Sequence, residues 1–574
     1  MPRGAWIVCA LGVGTLLVSA AACGRTPQQG LPEGPVGDGG AEGGVPSFIN
    51  DDAAIHDCTG ADPASSLGCE YLAVNMDGTF DADNGCFVVY LANASPLYSV
   101  HVDVSFDGSP IDLSQFAKLP HGTGTSISYG DYDPNSGILP GEVVILFLAG
   151  PEAPGAAVYG SSAPVPCPVA PALSALTQVH GTGMGQAFRI RTDEPVAAYQ
   201  MLPYGGGSAA VTGATLLSPT STYGTNYVAV SAHSDQNSTM PGTNGPSLDI
   251  VAAEDGTTVT MLPNHDIDQG VGVPATPSGQ AVTFALSAGQ VLQITQQQEL
   301  TGSILQSDKP IGFFAGFTCM DLGGTCCCDH AEQQIPSVQQ MGSVYAGASY
   351  RDRTEFAENR PWRIIGAVDG TQLSFNPSVG GPKSVGKGQI AEFTTDTPFI
   401  VSSQDADHPF LLLSYMTGAQ TLPPNAYGLG YGDPDVVRSV PAPQWRPGYI
   451  FFTDPTYPET DLVFVRKRIA GPHLVRGAAF ADVTLDCAGT LSGWTPIDSN
   501  DDYEMTRVDL VRHNFEPQGN CNNGRHEASS DQPFSLTVWG WGSPETKAMT
   551  GYVSYGYPGG ENLAPINQVV VPAQ

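Results

Sequence analysis

The sequence predicts an all-β fold made of repeated units of short strands, and three observations support this. Short apolar runs, such as residues 143–147 and 311–316, are bounded by Gly, Pro and Asp, as the strands of β proteins are. Two kinds of turn motif recur along the chain. No long helical period accompanies them. The folded part of the chain is therefore expected to consist of strands separated by frequent turns.

The first turn motif is Asp-Gly-Thr, which occurs at residues 255–257 and 369–371 between alternating apolar residues. Asp-Gly in this context favours a type I′ turn, in which both central residues have positive φ. That turn is typical of two-stranded hairpins. We therefore predict a β-hairpin at each of the two motifs.

The second motif is an Asp-x-Pro box that recurs four times, each time ahead of an apolar run. Asp can cap a turn with its own side chain and Pro holds the preceding residue extended, so each box predicts a turn followed by a strand. The boxes begin at Asp193, Asp308, Asp407 and Asp531, which are 115, 99 and 124 residues apart. This spacing predicts four diverged units of about 110 residues.

Each unit has room for about six or seven short strands, which suits either an immunoglobulin-sized sandwich or two propeller blades. The runs after the boxes are apolar on both faces. Both the innermost strands of a propeller and the fully buried strands of a sandwich have this character. We favour a β-propeller-like closed array, with tandem β-sandwiches as the alternative.

The N-terminus has the features of a signal peptide. Residues 5–18 are almost wholly apolar, and small residues lead from there to Cys23. The run is shorter than the roughly 20 residues that a membrane-spanning helix needs. We predict that residues 1–22 are removed and that Cys23 carries a lipid, because lipoprotein processing requires a cysteine directly after small residues. Ala20, where leucine is usual, leaves ordinary secretion as the alternative.

The segment after the cysteine places the folded part at a distance from the membrane. Gly24 follows Cys23, and by resemblance to lipoproteins of bacteria with two membranes it implies the outer membrane. Residues 23–56 are rich in Gly and Pro and predict a flexible linker. An N-terminal β region at 57–178 follows. We expect a cell-envelope protein that faces the exterior or the periplasm, or a secreted protein if the lipid is missing.

The composition excludes some partners. Asp and Glu number 56 against 22 Lys and Arg, which gives a net charge of -34. Nucleic acid binding needs clustered cations, so this balance argues against it, and it also disfavours docking on anionic lipid. Acidity keeps an exported protein soluble; calcium binding is the alternative explanation.

Ten cysteines remain besides Cys9 in the apolar run and the predicted lipid site. They are Cys58, Cys69, Cys86, Cys167, Cys319, Cys326, Cys327, Cys328, Cys487 and Cys521. An even number in an oxidising compartment predicts disulfides. Proximity in sequence suggests that Cys487 pairs with Cys521, and Cys319 with one cysteine of the run 326–328.

Two segments are candidate metal sites. Asp131, Asp133 and Asn135 supply oxygen ligands at alternate positions ahead of Gly137, like the start of a calcium loop. A matching distal Glu is missing, and the same residues are common in ordinary loops. The second segment, residues 326–332 with its cysteines, histidine and glutamate, invites a zinc interpretation, although disulfides are favoured there.

The sequence shows no catalytic constellation. It contains no Gly-x-Ser-x-Gly elbow and no His-Glu-x-x-His motif. Trp539 and Trp541 alternate on one predicted strand and share a face. Core packing is favoured for them over an aromatic binding patch.

Several spaced motifs resemble the IgG-Fc-binding protein N-terminal domain family. They are AFRIRTDEPVAAYQ (187–200), IVAAEDGTTVT (250–260), GSILQSDKPIGFFAG (302–316), CDHAEQQIP (328–336), GDPD (432–435) and SYGYPGG (554–560). The likeness predicts a family domain over 179–560, followed by a C-terminal tail at 561–574, in a bacterial lipoprotein member. It implies architecture more than ligand, because its motifs are fold-making turns and strands.

These observations together predict a non-catalytic cell-surface binding or adhesion lipoprotein that recognises an extracellular protein or glycan. A polysaccharide-active hydrolase and a structural component of the envelope or matrix are the alternatives. No cofactor is expected apart from the calcium considered above.

Overall fold

The computed structural model describes residues 58, 62–79, 82–151, 165–205, 211–233, 245–322, 328–422, 430–469, 480–544 and 552–574. All of them belong to one compact unit. The predicted signal peptide, Cys23, the linker, Cys326 and Cys327 lie outside these residues. Within them the chain is all-β, as predicted, and none of their helices has the length and apolar character to cross a membrane. Short 3₁₀ helices lie at Gly124–Ser126, Thr220–Thr222, Val338–Gln340, Ala419–Thr421 and Ala442–Gln444.

The first of four units comprises residues 62–216. Its strands are β1 (Gly68–Ala73), β2 (Phe87–Asn93), β3 (Val102–Phe106), β4 (Ser109–Ile111), β5 (Ala117–His121), β6 (Ser128–Asp131), β7 (Val143–Ala149), β8 (Gly183–Gln186), β9 (Phe188–Leu202) and β10 (Gly213–Leu216).

The second unit comprises residues 219–334. Its strands are β11 (Gly224–Val228), β12 (Pro246–Ala252), β13 (Thr257–Leu262), β14 (Val282–Leu286), β15 (Gln290–Thr295), β16 (Ile304–Met320) and β17 (Asp329–Gln334).

The third unit comprises residues 336–438. Its strands are β18 (Val344–Gly347), β19 (Arg360–Gly366), β20 (Thr371–Gln372), β21 (Ser374–Asn376), β22 (Ser384–Val385), β23 (Ile390–Thr395), β24 (Phe399–Ser402), β25 (Phe410–Met416) and β26 (Asp435–Arg438).

The fourth unit comprises residues 441–558. Its strands are β27 (Arg446–Thr453), β28 (Glu459–Lys467), β29 (Val483–Leu485), β30 (Gly489–Thr490), β31 (Thr495–Pro496), β32 (Tyr503–Arg512), β33 (Glu516–Pro517), β34 (Gly524–Trp541) and β35 (Ser554–Pro558).

Each unit forms its own curled antiparallel sheet, and only the third is divided into smaller sheets. The strand orders are β4-β3-β9-β2-β7-β5-β6, β14-β13-β16-β12-β15-β8, β18-β24-β21 with β23-β19-β25-β26 and β20-β22, and β30-β29-β34-β28-β32-β31. One strand of the first unit joins the sheet of the second unit: β8 precedes β9 in the chain but pairs with β15.

The predicted turn at the Asp-x-Pro box is wrong at three of the four boxes. In the first, second and fourth units the box lies inside one long strand, β9, β16 or β34. In β16, residues 304–307 pair with β13, whereas residues 311–317 pair with β12. Pro310 lies between the two halves, where a residue without an N–H costs no ladder hydrogen bond. The box therefore marks the point where a strand changes partners.

The predicted hairpins at the two Asp-Gly-Thr motifs are also wrong, although both turns exist. Gly256 and Gly370 have φ of +64° and +78°, but the preceding Asp residues are not in the positive region. A type I′ turn requires positive φ at both positions. The first motif consequently connects β12 to β13, which lie on opposite sides of β16 and do not pair with each other.

A buried tyrosine connects each box to the start of its own unit. Its hydroxyl accepts a hydrogen bond from the backbone N–H of the residue three positions earlier. The same hydroxyl donates a hydrogen bond to the carbonyl oxygen of the residue after the box proline. The four donor–acceptor pairs are Tyr71 with Val196 (2.7 Å), Tyr227 with Ile311 (2.6 Å), Tyr345 with Phe410 (2.7 Å) and Tyr449 with Phe534 (2.5 Å). We call this arrangement the tyrosine link. The boxes thus mark a true structural repeat.

Replacing Tyr227 by Phe is expected to lower the free energy of unfolding by about 1–2 kcal/mol, because the Gly224 N–H and the Ile311 carbonyl both lose a buried partner. Urea denaturation measures the change. Tyr503→Phe is the matched control, since the Tyr503 ring packs against Trp445 and, within the described residues, Tyr503 donates a hydrogen bond through its backbone N–H and not through its hydroxyl. Equal stability of the two variants would contradict the tyrosine link as a stabilising element.

The inner strands of the four units meet around one axis. After each box strand the chain returns as β10, β17, β26 or β35, paired to that box strand. These strands contact one another in a cycle, β10 to β17, β17 to β26, β26 to β35 and β35 to β10. No closed propeller is seen in the described part of the chain, because the sheets are curled half-barrels rather than regular blades.

Two large hydrophobic clusters join the units in pairs. The first and fourth units share one cluster, in which the rings of Tyr90 and Phe452 lie 4.6 Å apart. The second and third units share the other, which also contains Val571 and Ala573 from the end of the chain. Residues 561–574 thus run from the junction of the first and fourth units back across the third and second. We call them the C-terminal strap.

Candidate functional site

The segments 328–336, 432–435 and 554–560, which lie far apart in sequence, meet where the inner strands come together. The Ser554 hydroxyl lies 2.9 Å from Oδ2 of Asp329 and donates to it, and it lies at the same distance from the carbonyl oxygen of Asp433. The Gln333 amide donates to the carbonyl oxygens of Ala214 (3.0 Å) and Gly556 (3.1 Å). We call this region the polar centre.

The polar centre is rich in buried carboxyl groups. The five carboxyl side chains, each at most 2% exposed, are Asp249, Asp329, Glu332, Asp433 and Asp435. Within the part of the chain that the structure describes, at least one oxygen of each has no hydrogen-bond partner. Burial raises the pKa of Asp249, with the carboxyls of Asp77 and Glu332 adding to the effect. Burial likewise raises the pKa of Asp329, and Asp433 and Asp435 add to it.

These shifts predict a fold that is more stable at mildly acidic than at alkaline pH. A carboxyl with a raised folded-state pKa stabilises the fold fully below its unfolded pKa, and this contribution is lost as pH rises through the folded pKa. Asp249→Asn removes the ionisation, so it is expected to raise stability at pH 8 by about 1–3 kcal/mol and to flatten the pH dependence. Thermal melts from pH 5 to 8 measure this. Asp103→Asn, at an exposed position of β3, is the control, and identical profiles for both variants would contradict the assignment.

An open groove lies at the junction of the second and third units. One depression, with a volume of about 290 Å³, is lined by His233, Trp362, Phe393 and Tyr415 among others. A second depression of about 290 Å³ contains Asn264, His265 and Gln298. We call the two depressions together the junction groove.

An ion triad separates the two depressions. Arg363 donates through Nη1 to Glu299 at 2.6 Å and through Nε to Glu392 at 3.0 Å. Arg363 is buried and Glu392 is half exposed. Burial lowers the pKa of His233 to about 3, and Arg363 adds to this, so its imidazole is neutral at physiological pH. No local pattern in the sequence indicated this site, because the second and third units each contribute only part of it.

The predicted calcium ligands lie at the exposed end of β6 and in the loop that follows it, where each has a partner from the protein. Lys118 lies 2.7 Å from Asp131 and lowers its pKa. Asp133 accepts hydrogen bonds from the backbone and side chain of Asn135 and from the Ser136 hydroxyl, which is the pattern of a loop that closes on its own aspartate. Calcium binding at Asp131, Asp133 and Asn135 stays a prediction.

The family model described as IgG-Fc-binding protein matches residues 213–540, more than half of the chain. The chain belongs to this family. Comparison with curated proteins and with solved structures gave no match.

The motifs that resemble the IgG-Fc-binding protein family lie in or directly beside strands of the fold. The stretch 328–336 forms β17 at the polar centre, and 554–560 begins with β35 beside it. The boxes in 187–200 and 302–316 lie inside β9 and β16. These motifs form inner strands and the box strands that pair with them. In this member the family likeness therefore describes the scaffold.

Among its described residues, this member of the IgG-Fc-binding protein family forms four disulfides. They are Cys58–Cys69, Cys86–Cys167, Cys319–Cys328 and Cys487–Cys521. The last two agree with the pairings suggested by proximity in sequence. The disulfide at Cys328 argues against the zinc interpretation of that segment, since its thiolate is no longer available.

The described residues bring three possible metal-binding atoms together only at Asp486, Cys487 and His526. Cys487 is in a disulfide, and His526 is already bonded to Asp486 at 2.9 Å. The side chains of this cluster are therefore already engaged, one in a disulfide and two in a hydrogen bond with each other. Trp539 and Trp541, both at most 1% exposed, pack in the core against Tyr350, as favoured from the sequence.

Proposed function

We propose that this protein is a non-catalytic binding or adhesion protein of the cell surface, attached to the outer membrane by a lipid on Cys23. Its partner is an extracellular protein or glycan. Membership of the IgG-Fc-binding protein family supports this proposal, because the description of the family names a binding role.

The positions of the ionisable groups support a binding role over hydrolysis. A glycosidase needs two carboxyl groups about 5–10 Å apart on either side of a substrate bond. The carboxyls of the polar centre are buried beyond the reach of a polymer. In the junction groove, Glu299 and Glu392 both accept hydrogen bonds from Arg363, so both are engaged in holding the groove together.

A binding and turnover experiment tests the proposed activity. The mature protein is applied to arrays of glycans, mucins and immunoglobulins, and in parallel it is incubated with polysaccharides. Saturable binding without product formation is expected. Absence of any binding, together with release of sugar from a polysaccharide, would overturn the proposal in favour of the hydrolase.

Cys23→Ser tests the attachment. The variant is expected to leave the membrane fraction and to appear in the periplasm or the medium. The wild-type protein is expected to retain a mass increment on its N-terminal peptide that corresponds to a diacylglyceryl cysteine and an acyl chain. An unmodified N-terminal cysteine, or a mature chain that begins elsewhere, would refute lipidation.

A further inference from the structure

The junction groove has the chemistry of a sugar site. Its first depression offers aromatic surface, because the partly exposed Phe393 is held in place by Phe375 and Phe399, with ring centroids 5.3 and 5.4 Å away. Trp362 lies in the same wall, and its buried indole N–H has no hydrogen-bond partner among the described residues. Binding sites of small ligands combine such apolar walls with a few well-placed polar groups.

The polar groups of this depression suit hydroxyl groups rather than charges. A neutral His233 imidazole has one donor nitrogen and one acceptor nitrogen. A sugar hydroxyl can both donate and accept, so it can pair with either nitrogen. Among the described residues that line the depression, the single cation, Arg363, is balanced by two carboxylates, Glu299 and Glu392. An anionic ligand would meet no uncompensated positive charge here, and a cationic ligand would compete with Arg363.

The second depression continues the same chemistry. Gln298 and His265 join their side chains at 2.9 Å at an exposed position. The Asn264 amide is fixed by two hydrogen bonds, since its Nδ2 donates to the Thr301 carbonyl and its Oδ1 accepts from the Ser303 hydroxyl. Planar amide and imidazole groups held in this way can donate to and accept from hydroxyl groups in a defined geometry.

The two depressions are adjacent and similar in size. Arg363 reaches Glu299 of one and Glu392 of the other, and Ile390 of the second lies two residues before Glu392 on β23. Each volume of about 290 Å³ is at the lower end of ligand pockets, which begin at roughly 300 Å³. Each therefore suits one ring of a larger ligand.

We propose that the junction groove binds two consecutive units of a neutral glycan, with one sugar ring on Phe393 and the next beside Gln298 and His265. This inference rests on the proposed binding function and specifies the class of partner. The hydroxyl groups of the first ring bond to Glu392 and His233.

The test uses the mature full chain on an array of neutral, sialylated and sulfated glycans, with immunoglobulin and mucin polypeptides as protein probes. Calorimetric titration follows with any neutral oligosaccharide that binds. Phe393→Ala and Glu392→Gln are expected to weaken binding at least tenfold and about fivefold. Thr394→Trp, at an exposed position of β23, fills the groove without removing core contacts and is expected to abolish binding. Phe356→Ala, an exposed aromatic outside the groove, is the control and is expected to bind like the wild type.

Each outcome decides the inference. Binding of neutral glycans that the three groove variants weaken and the control does not would support it. Binding confined to charged glycans or to protein probes, or binding that Glu392→Gln and Thr394→Trp leave unchanged, would overturn the groove assignment while leaving the proposed function standing. Absence of binding to every probe would overturn both.

Discussion

Replacing Glu561 by Ala is expected to lower the free energy of unfolding by about 3–5 kcal/mol, because it leaves Arg438 as an unpaired buried charge. Both side chains are at most 1% exposed. Arg438 donates through both terminal nitrogens to the two oxygens of Glu561, and through Nε to the carbonyl oxygen of Gln334 at 2.7 Å. The pair thus connects the second and third units to the start of the C-terminal strap.

Urea denaturation of Glu561→Ala and of a double variant measures how much the Arg438–Glu561 pair contributes to stability. Arg438→Met combined with Glu561→Leu is expected to recover much of the loss, because a buried ion pair can be exchanged for apolar side chains at little cost. Asp482→Ala is the surface control, since Asp482 is mostly exposed and lies 3.9 Å from Arg466. Its expected effect is below about 1 kcal/mol. A Glu561→Ala effect as small as that of the control would show that the pair does not stabilise the centre.

Truncation after residue 565 is expected to lower the free energy of unfolding by about 3–5 kcal/mol, the sum of lost burial and of unsatisfied polar groups. Val571 is buried against the second and third units. Asn226 exchanges two hydrogen bonds with its backbone, at 2.7 and 2.8 Å. The Asn567 amide donates to the carbonyl oxygens of Val338 and Met341 at 2.8 and 2.9 Å. Removing the strap takes the partners away from these polar groups and exposes the apolar surface that Val571 covers.

Two point variants separate the strap's specific contacts from its mere presence. Asn567→Ala is expected to reproduce part of the loss, about 1–3 kcal/mol. Val570→Ser, at a side chain that is 56% exposed, is expected to change stability by less than about 0.5 kcal/mol. Full stability of the truncated chain would show that the strap is dispensable.

The fold class and the fourfold repeat followed from sequence because both depend on local signals. Gly and Pro limit backbone angles wherever they occur, so the turns at Gly256 and Gly370 were predictable from the residues alone. Which strands pair across a turn depends on the packing of distant segments. β12 and β13 are separated by β16, which comes about 50 residues later in the chain, and no local pattern contains that information.

The tyrosine link could have been found from the sequence. Gly68, Gly224 and Gly342 each precede a tyrosine by three residues, and Arg446 takes that position in the fourth unit. Each of these tyrosines stands upstream of a box. The spacing between tyrosine and box differs from unit to unit, because the loops between them differ in length, and this hides the repeat from a search at fixed period.

The polar centre could not be predicted in the same way. The β17 sequence, from Asp329 to Gln334, is polar at almost every position and resembles a solvent-exposed strand. It is buried because β10 and β26 of neighbouring units pack against it and because Asp329 and Gln333 form hydrogen bonds with β35 of the fourth unit. The junction groove had the same limitation, since Glu299 and Glu392 approach each other through the packing of two units.

The place where the strap begins has a mechanical consequence for a tethered protein. Residues 64–66 and 561–563 form a short antiparallel contact, in which the Ser66 N–H donates to the Glu561 carbonyl at 3.0 Å and the Leu563 N–H donates to the Ala64 carbonyl. The Cys58–Cys69 disulfide encloses residues 64–66, so on the proposed anchoring a pull from the N-terminal side passes through the disulfide to Cys69 at the start of β1. A pull on a bound partner is therefore opposed first by the pairing of β1 with β9 in the first sheet, and the contact between residues 64–66 and 561–563 is shielded from the load.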